Sequence, residues 1–449
     1  MKVTRLEATE VHGYLPLNIE FFDDLTFLTG LNGCGKTSAL RLLMALLTPN
    51  LEEFTSIEFK TAAATISEKG QQIVIRATRS PEGIQLQLSG IDEVLQISTA
   101  ELQLLSESRR SDEPRNPVHE KISQHVVFQS IARISTPMFL GLDRRFVASI
   151  PFWEDSTETR RREYLGRRWI GNPAFRGSAA AGLADIHYLV ITRMQEIRAA
   201  QENLDEVLRR KILTRAFEYK PSDITSENKL PSRSQLEGYK TRLANIERAA
   251  ENLHLPVPEL KAAVSHFFER MNEVVAALEK TAKQSKKKRM MAGQDFFDWI
   301  INKPQADRIL EHIKLLDEYA LDRSALHEPI DRFISLVNGF LQQTKKRLNV
   351  DARGEVHVFV ENYDAPRPIT ALSSGERQLL VMLAHLSLNK NLAGSGVFIV
   401  DEPELSLHID WQERFVDAIR EANPSVQLIM ATHSPAIILD RVNRCKTLS

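Results

Sequence analysis

The sequence feature that most constrains the fold is the segment GLNGCGKT at Gly30–Thr37. It fits the pattern G-x-x-x-x-G-K-[ST], and it lies between an apolar strand, Leu25–Thr29, and an apolar helix that begins near Ser38. Glycines at these positions let backbone N–H groups turn toward phosphate oxygens, and the amino end of the helix adds partial positive charge. The segment predicts a phosphate-binding loop in which Lys36 contacts the phosphates and Thr37 places its hydroxyl on Mg²⁺. A chain with this loop is expected to form an α/β domain.

A second chemical element lies further along the chain, at Val397–Glu402, where four apolar β-formers precede two acids. This pattern predicts a buried strand that delivers carboxylates to the edge at which α/β sheets bind ligands. An acidic pair after a strand is, by itself, more often the amino-terminal cap of a helix. Combined with the phosphate loop, the pair predicts that Asp401 holds the Mg²⁺ shell and that Glu402 polarises the attacking water of phosphoryl transfer.

The segment LSSGE at Leu372–Glu376 precedes a long apolar run and predicts a helix start. The spacing S-x-x-E, from Ser373 to Glu376, is that of a capping box, in which serine and glutamate satisfy free N–H groups. The small residues also present unpaired N–H groups to an anion. The two interpretations are compatible, because a capped helix start that contains glycine also suits contact with a γ-phosphate.

The predicted organisation is an α/β head formed by both ends of the chain and split by a helical insert. Residues 1–149 show strand patterns, including an antiparallel hairpin around Ser80–Gly83, and residues 346–449 alternate strands with helices. Residues 150–345 are rich in Glu, Lys, Arg, Ala and Leu at helical spacing, too irregular for a long coiled coil. They therefore predict a compact, all-helical lobe. Its helical segments are 183–219, 235–283 and 310–347.

Composition and charge limit the classes of protein that fit. Hydrophobic residues at 43% and charged residues at 26% are average for globular proteins. The net charge of −1 offers no global basic field, so binding of nucleic acid or acidic lipid must be local. Two cysteines cannot build a disulfide framework or a four-thiolate zinc site. Since the chain start lacks a signal-peptide core and no apolar run is long enough to span a membrane, a soluble, cytoplasmic protein without a membrane partner is expected.

In their order along the chain, these motifs resemble those of the ATP-binding-cassette (ABC) ATPases. The similarity is to the branch that holds the structural-maintenance-of-chromosomes (SMC), double-strand-break-repair and overcoming-lysogenisation-defect heads. The resemblance implies ATP and Mg²⁺ as cofactors and hydrolysis of ATP to ADP and phosphate. The residues that it assigns to nucleotide binding are Gly30, Asn32, Gly33, Cys34, Gly35, Lys36, Thr37, Ser38, Ser373, Ser374, Gly375 and Gln129. It assigns catalysis to Lys36, Glu402 and His433, and magnesium binding to Thr37 and Asp401.

Two of these assignments rest on the resemblance and on position in the chain. His433 follows the strand end Ile429–Ala431 and matches the switch histidine that senses the γ-phosphate. Gln129 is a candidate for the glutamine at the crossing from strand to lobe. The neighbouring segment Phe139–Phe146 is an alternative place for that crossing.

The resemblance also implies self-association, as a head-to-head dimer with two ATP molecules at its seam or as a higher homo-oligomer. Ser374 and Gly375 match the centre of the signature, which in the family contacts the γ-phosphate bound by the partner subunit. The segment Ser406–His408 matches the loop that runs along the seam. ATP binding would close the dimer, and hydrolysis would open it.

The departures from the family narrow the expectation further. The insert is shorter than the coiled coil of the repair ATPases and has no zinc-binding cysteine pair, and the sequence after His433 is too short for a metal-dependent nuclease domain. The pattern therefore resembles stand-alone heads such as the ATPase subunits of the Septu and PARIS anti-phage systems. A separately encoded effector, a nuclease or a toxin, is the expected partner.

The sequence is also compatible with two other functions. One is a DNA-repair or DNA-maintenance ATPase that binds DNA through local basic clusters. The other is a scaffold in which ATP stabilises an oligomer and turnover is slow. The clusters are Arg144–Arg145, Arg160–Arg162, Arg167–Arg168, Lys286–Arg289 and Lys345–Arg347. Each of them is, by itself, more often a solvated surface than a phosphate contact.

Overall fold

The chain forms two compact units. The computed structural model describes residues 1–48, 51–108, 117–134, 137–140, 146–148, 178–217, 262, 265–267, 269–274, 276–277, 293–389, 396–405 and 407–448. The first unit joins Met1–Met194 to Ile330–Ser449, and the second is Gln195–Pro329. The first unit therefore contains both ends of the chain. The domain boundaries at residues 150 and 345 stay predictions, and the first of them lies outside the described residues.

The strands are β1 (Lys2–Val11), β2 (Leu15–Glu20), β3 (Leu25–Thr29), β4 (Thr61–Glu68), β5 (Gln71–Ser80), β6 (Gly83–Leu88), β7 (Leu95–Ser98), β8 (Met138–Leu140), β9 (Phe146–Ala148), β10 (Lys346–Val350), β11 (Val356–Val360), β12 (Tyr363–Pro368), β13 (Val397–Asp401), β14 (Gln427–Ala431) and β15 (Cys445–Thr447). The α-helices are α1 (Lys36–Leu47), α2 (Leu51–Ser56), α3 (Thr99–Ser108), α4 (Pro117–Ser123), α5 (Val126–Arg133), α6 (Ser178–Ala216), α7 (Gly293–Leu341), α8 (Ser374–Leu388), α9 (Ile409–Ala422) and α10 (Pro435–Ile438).

The centre of the head is a six-stranded sheet in the order β15-β3-β14-β13-β8-β9, parallel except for the pair β8–β9. β13 and β14 are buried along their whole length, which explains the apolar runs Val397–Val400 and Leu428–Ala431 within them. The parallel arrangement brings the carboxyl ends of β3, β14 and β13 to one edge of the sheet. The phosphate loop, His433 and Glu402 follow these three ends. The predicted α/β class is confirmed.

A second sheet is antiparallel, in the order β2-β1-β4-β5-β6-β7. Its strands alternate buried and exposed residues, as β2 does throughout. The predicted hairpin is present, because Ser80 and Gly83 are paired at the turn between β5 and β6. Side chains of this sheet share one core with α1 and with one face of the parallel sheet.

Gln427 ties the two sheets together at the start of β14. Its side chain is fully buried, and its oxygen accepts a 2.7 Å hydrogen bond from the backbone N–H of Val3 in β1. Its nitrogen donates to the carbonyl oxygens of Val3 and Phe22, at 2.7 and 2.8 Å. Burial of an amide costs little free energy when its oxygen and its nitrogen are both hydrogen-bonded, and here these bonds fix the position of one sheet relative to the other.

The helical segment predicted to reach residue 347 ends earlier. α7 ends at Leu341, Lys345 adopts a left-handed φ of 56°, and β10 begins at Lys346. The reason is tertiary: β10 pairs antiparallel with β11, which pairs with β12 in a small third sheet. Pairing and burial of alternate residues outweigh helical spacing over so short a segment.

In the second unit, the described parts of α6 and α7 share a small apolar cluster of Leu208, Leu315 and Tyr319. The Tyr319 hydroxyl donates a 2.6 Å hydrogen bond to Asp205. The helix predicted over 183–219 is present as α6, whereas most of the segment 235–283 lies outside the described residues. None of the helices in the described part of the chain has the length and apolar content needed to cross a bilayer.

Candidate nucleotide-binding site

The phosphate loop, Gly30–Thr37, connects the carboxyl end of β3 to the first turn of α1. Gly35 precedes the helix with a left-handed φ of 91°, and a Cβ atom there would collide with the Leu15 side chain. Only glycine fits this position without strain. The residue before α1 supplies no side-chain cap, so the first N–H groups of the helix remain available to an anion.

The Lys36 side chain packs against the backbone of the phosphate loop. It is only 6% exposed, and its ammonium group donates to the carbonyl oxygens of Gly30 and Leu31 at 3.1 Å each. It also lies 3.8 Å from the sulfur of Cys34. Phosphate oxygens carry a full negative charge and would bind this ammonium group more strongly than neutral carbonyls do. The loop therefore holds a desolvated cation where the motif predicts a phosphate contact.

Asp401, at the end of β13, is a buried carboxylate with unpaired oxygens. The residue is 3% exposed, and neither oxygen has a hydrogen-bond donor in good geometry. Burial raises the pKa of Asp401 to about 6, and the charges of Glu402 and Glu404 add to that rise. The nearby Thr37 hydroxyl and the Lys36 ammonium act in the opposite direction on this pKa.

An unpaired buried carboxylate is costly unless something binds it. A divalent cation with a preference for oxygen ligands would satisfy both oxygens of Asp401, and the Thr37 hydroxyl is close enough to join it. The residues at this edge of the sheet therefore fit Mg²⁺.

Asp401→Asn is expected to stabilise the ligand-free protein above pH 6. Folding raises the pKa of Asp401 from 3.8 to about 6, so the folded state binds more protons between these values. Its stability therefore falls as the pH rises through that window. The asparagine variant does not lose stability in this way. Its free energy of unfolding should exceed that of the wild type by about 1–3 kcal/mol at pH 8 and by little at pH 4. Thermal unfolding with a chelator at both pH values measures the difference, and a less stable asparagine variant at pH 8 would contradict it.

An open cavity of about 380 Å³ brings the phosphate loop and Glu402 together. Glu402 has a left-handed φ of 47°, a conformation that costs a non-glycine residue about 1–3 kcal/mol and is often found at functional sites. Its backbone N–H donates to the carbonyl of Ala431 at 2.9 Å, which holds the turn against β14. The residues that line the cavity are His12, Tyr14, Leu15, Asn32, Gly33, Gly35, Lys36, Thr37, Ser38 and Glu402.

The turn between β1 and β2 forms one wall of the cavity, and the sequence did not predict it. His12 Nε2 shares a 2.9 Å hydrogen bond with the Ser38 hydroxyl, and the Tyr14 side chain is 73% exposed beside the loop. Gly13, with a φ of 83°, is the only sequence signal here. It marks a bend between strands and does not by itself indicate a binding residue.

The remaining predicted residues lie at the same edge or away from it. His433 follows β14 and is exposed, and its ring does not line the cavity. Ser406 lies outside the described residues. Gln129 is not at a strand end: it lies in α5, where its amide donates to the carbonyl oxygen of Ser123 at 3.2 Å. β8 runs beside β13 and so leads to the crossing, but residues 141–145 that follow it lie outside the described residues.

The predicted capping box at the start of α8 is present. Ser373 Oγ accepts from the N–H of Glu376 at 3.3 Å, and the N–H of Ser373 donates to the Glu376 carboxylate at 2.6 Å. That carboxylate is buried and also accepts from Lys346, at 2.8 and 3.0 Å, and from the Thr344 hydroxyl at 2.7 Å. Burial acts to raise the pKa of Glu376, but these donors hold it below its ordinary value. Ser373 and Ser374 are exposed and do not line the cavity around Lys36.

Glu376→Ala is expected to cost about 3–5 kcal/mol in the free energy of unfolding, because it leaves Lys346 without its buried partner and removes half of the capping box. Since the pKa of Glu376 is lowered on folding, its contribution is present at neutral pH and is lost as the solution is acidified below the ordinary carboxyl range. Urea unfolding at pH 7 measures the loss. Glu361→Ala is the matched control, because its pair with Lys345 is exposed and worth at most about 1 kcal/mol. Equal losses for both variants would contradict the prediction.

Of the five basic clusters named from the sequence, Lys345–Arg347 lies among the described residues, and its side chains are engaged locally. Lys345 pairs with Glu361 at 3.1 Å, Lys346 pairs with Glu376, and Arg347 stacks over Phe359. These contacts disfavour this cluster as a phosphate-binding surface. The other four basic clusters lie outside the described residues.

A model of the family described as "AAA domain, putative AbiEii toxin, Type IV TA system" matches residues 205–440, more than half of the chain. The chain belongs to this AAA-domain family. The matched residues include the start of α8, Asp401, Glu402 and His433, whereas the phosphate loop lies before them. Together with the phosphate loop, the AAA-domain match indicates that the chain contains an ABC-type ATPase head of the branch that the motifs predict.

Three relatives agree with this AAA-domain assignment. The Retron Ec83 probable ATPase of Escherichia coli is 28% identical over 133 residues, 28% of this chain and 23% of that protein. The Retron Vc95 probable ATPase of Vibrio cholerae is 33% identical over 76 residues, 15% of each protein. The DNA double-strand break repair Rad50 ATPase of Saccharolobus solfataricus is 29% identical over 138 residues, 29% of this chain and 16% of that protein. The chain thus covers less than a quarter of the length of each of these relatives.

Solved structures that resemble the chain include SMC head domains. The Smc head domain of Pyrococcus furiosus, bound to the C-terminal domain of ScpA, superposes with a TM-score of 0.37 at 14% identity and covers 97% of this chain and 91% of that one. The SMC head domain of Thermotoga maritima gives 0.35 at 12% identity, over 98% and 91%. The AAA-domain assignment rests on the sequence match and on the motifs at the sheet edge.

Proposed function

We propose that the protein binds ATP with Mg²⁺ and hydrolyses it. The observation that carries the proposal is the convergence of Lys36, Thr37, Asp401 and Glu402 at one edge of the parallel sheet, with Asp401 buried and unpaired. Such a set suits phosphoryl transfer, in which positioning and electrostatics supply most of the rate. The exposed Tyr14 and His12 give the cavity a wall beyond the phosphate region that suits a base or ribose.

Each residue has a separate task in this proposal. Lys36 exchanges its carbonyl partners for β- and γ-phosphate oxygens, and the N–H groups of the first turn of α1 bind the same anion. Thr37 and Asp401 would hold Mg²⁺, which when bound neutralises charge on the phosphates. Glu402 orients a water molecule for attack on the γ-phosphate and accepts its proton. His433, from the loop after β14, would contact the γ-phosphate once the site closes.

We also propose that two heads close around ATP, with α8 of one subunit completing the site of the other. Ser373 and Ser374 are exposed at the start of α8 and do not border their own phosphate loop, which leaves them free to meet a partner's nucleotide. Exposed apolar side chains near the site support an interface: Leu31 is 85% exposed, Leu405 59% and Ile409 58%. Apolar residues at the rim of a charged cavity are typical of a surface that is covered in one state.

A mixing experiment tests completion in trans. Lys36→Ala disables one side of a composite site and Ser374→Arg the other, so each variant alone should hydrolyse no ATP. An equal mixture forms heterodimers in which one of the two sites is intact, and it should regain about a quarter of the wild-type turnover. Phosphate release measures it. If the mixture stays inactive, or Ser374→Arg alone is active, the trans arrangement is refuted.

For the biological role, we propose that the ATPase senses or regulates a separately encoded effector, a nuclease or a toxin, in an anti-phage system. Two of the relatives are named as probable ATPases of retrons, and the family description includes toxin systems, which supports a defence setting. The finer likeness to the Septu and PARIS subunits stays a prediction. The alternative is direct action on DNA, which the name of the Rad50 relative suggests for this branch.

Affinity purification of tagged Glu402→Gln from its native host in ATP distinguishes these roles. Tagged Lys36→Ala is the matched control, because it should not form the closed, ATP-bound dimer. A stoichiometric second protein found only with Glu402→Gln supports the effector role. Nucleic acid without a protein partner supports the DNA role and refutes the effector. A large oligomer of the chain alone supports the scaffold.

A further inference from the structure

A carboxylate joins the segment after Glu402 to the loop that carries His433. This switch loop, Thr432–Ser434, follows β14. Thr432 is fully buried, and its hydroxyl lies 2.9 Å from each carboxylate oxygen of Glu404. The backbone N–H of His433 donates to the same carboxylate at 2.7 Å. One side chain thus accepts hydrogen bonds from two consecutive residues of the switch loop.

Gln412, in α9, makes a second connection between the same two segments. Its side-chain oxygen accepts a 2.6 Å hydrogen bond from the Ser434 hydroxyl. Its nitrogen donates to the carbonyl oxygen of Leu407 at 2.9 Å and to that of Glu404 at 3.4 Å. Three consecutive residues of the switch loop are therefore attached to Glu404 and Leu407, either directly or through Gln412.

The position of His433 depends on these contacts. The ring is exposed, so packing does not fix its direction, whereas its backbone N–H is fixed by Glu404. Glu404 lies only two residues after Glu402, whose own N–H is bonded to Ala431 immediately before the switch loop. The backbone positions that carry the two groups assigned to the γ-phosphate and to the attacking water are thus held at a set separation.

We propose that Glu404 is a positioning residue, which fixes the backbone of the switch histidine relative to Glu402 and makes the switch loop move as one unit with Glu404, Leu405 and Leu407. This rests on the proposed ATPase function. Leu405 belongs to the same unit and is exposed on the surface assigned to the partner subunit. Contact between subunits and the position of His433 would therefore change together, which couples dimer closure to the geometry of hydrolysis.

Amide hydrogen exchange of the nucleotide-free protein tests the contact directly. Glu404→Ala removes the acceptor of the His433 N–H, so exchange at His433 should rise by about tenfold or more. Glu413→Ala is the matched control, because Glu413 is an exposed glutamate on α9 next to Gln412. It should leave exchange in the switch loop unchanged. Unchanged exchange in Glu404→Ala would overturn the proposal, and this measurement needs no turnover, so it stands even if the wild-type protein hydrolyses no ATP.

Kinetics separate positioning from binding. Glu404→Ala should lower kcat by about 10- to 100-fold, the cost of a misplaced group, while the Kd for a fluorescent ATP analogue changes less than about twofold. Thr432→Val removes the hydroxyl and should reproduce this loss, whereas Thr432→Ser keeps the hydroxyl and should restore most of kcat. The double variant Glu404→Ala/Thr432→Val should be no slower than either single variant. Additive losses, or a loss of affinity that parallels kcat, would overturn the proposal.

Discussion

Glu402→Gln is expected to lower ATP turnover by about 10²- to 10⁴-fold, the usual contribution of a general base, while ATP binding stays intact. Glutamine has nearly the same shape as glutamate but cannot accept the proton of the attacking water. The residue lines the cavity with Lys36 and Thr37, and its left-handed backbone is held by the bond to Ala431. The substitution leaves that backbone contact in place, so the variant should fold and bind ATP as the wild type does.

The same variant should accumulate in the ATP-bound, associated state, because closure is retained and the step that reopens the dimer is blocked. Phosphate release measures the turnover, and multi-angle light scattering with and without ATP measures association. Glu421→Gln makes the same chemical change at an exposed position of α9 and should behave as the wild type. Undiminished turnover in Glu402→Gln would exclude Glu402 as the base, and absence of ATP-dependent association would exclude the proposed seam.

Lys36→Ala is expected to weaken ATP binding by about 10²- to 10³-fold and to abolish hydrolysis at cellular ATP concentrations, since it removes a buried charge that pairs with the phosphates. The ligand-free protein should lose little stability. The carbonyl groups that Lys36 contacts belong to Gly30 and Leu31, which are half-buried and exposed and can bond to water instead. A loss of binding without a loss of fold therefore identifies the phosphate contact.

Isothermal titration with ATP and Mg²⁺ measures the affinity of Lys36→Ala, and circular dichroism measures its fold. Lys314→Ala is the control, because Lys314 is an exposed lysine of α7 in the second unit. Tight ATP binding by Lys36→Ala would refute the phosphate loop as the nucleotide site, and with it the proposed ATPase.

Local features of the head follow from the sequence because short-range physics determines them. The strand, glycine loop and helix around Gly30–Thr37 are contiguous, and left-handed Gly35 is a requirement of the turn itself. The capping box of α8 forms between residues three apart, so the pattern S-x-x-E was sufficient to predict it. The apolar runs Val397–Val400 in β13 and Leu428–Ala431 in β14 likewise predicted buried strands.

Features that join distant parts of the chain were not predictable from the sequence. Nothing at Glu404 indicates that its carboxylate meets Thr432, 28 residues later, because β13 and β14 bring them together only as neighbouring strands. His12 reaches the phosphate loop by the pairing of β1 with β2. Gln129, the candidate for the crossing from strand to lobe, lies within the helix α5.

The sequence by itself determined the class of fold and the chemistry that the site offers, because both depend on side-chain type and on spacing within single elements. Only the tertiary structure decided how that chemistry is arranged. The burial that raises the pKa of Asp401, the three hydrogen bonds that Glu376 accepts from Thr344 and Lys346, and the attachment of the switch loop to Glu404 each need groups from separate elements. Such long-range contacts depend on strand order and packing, for which no single stretch of sequence carries a signal.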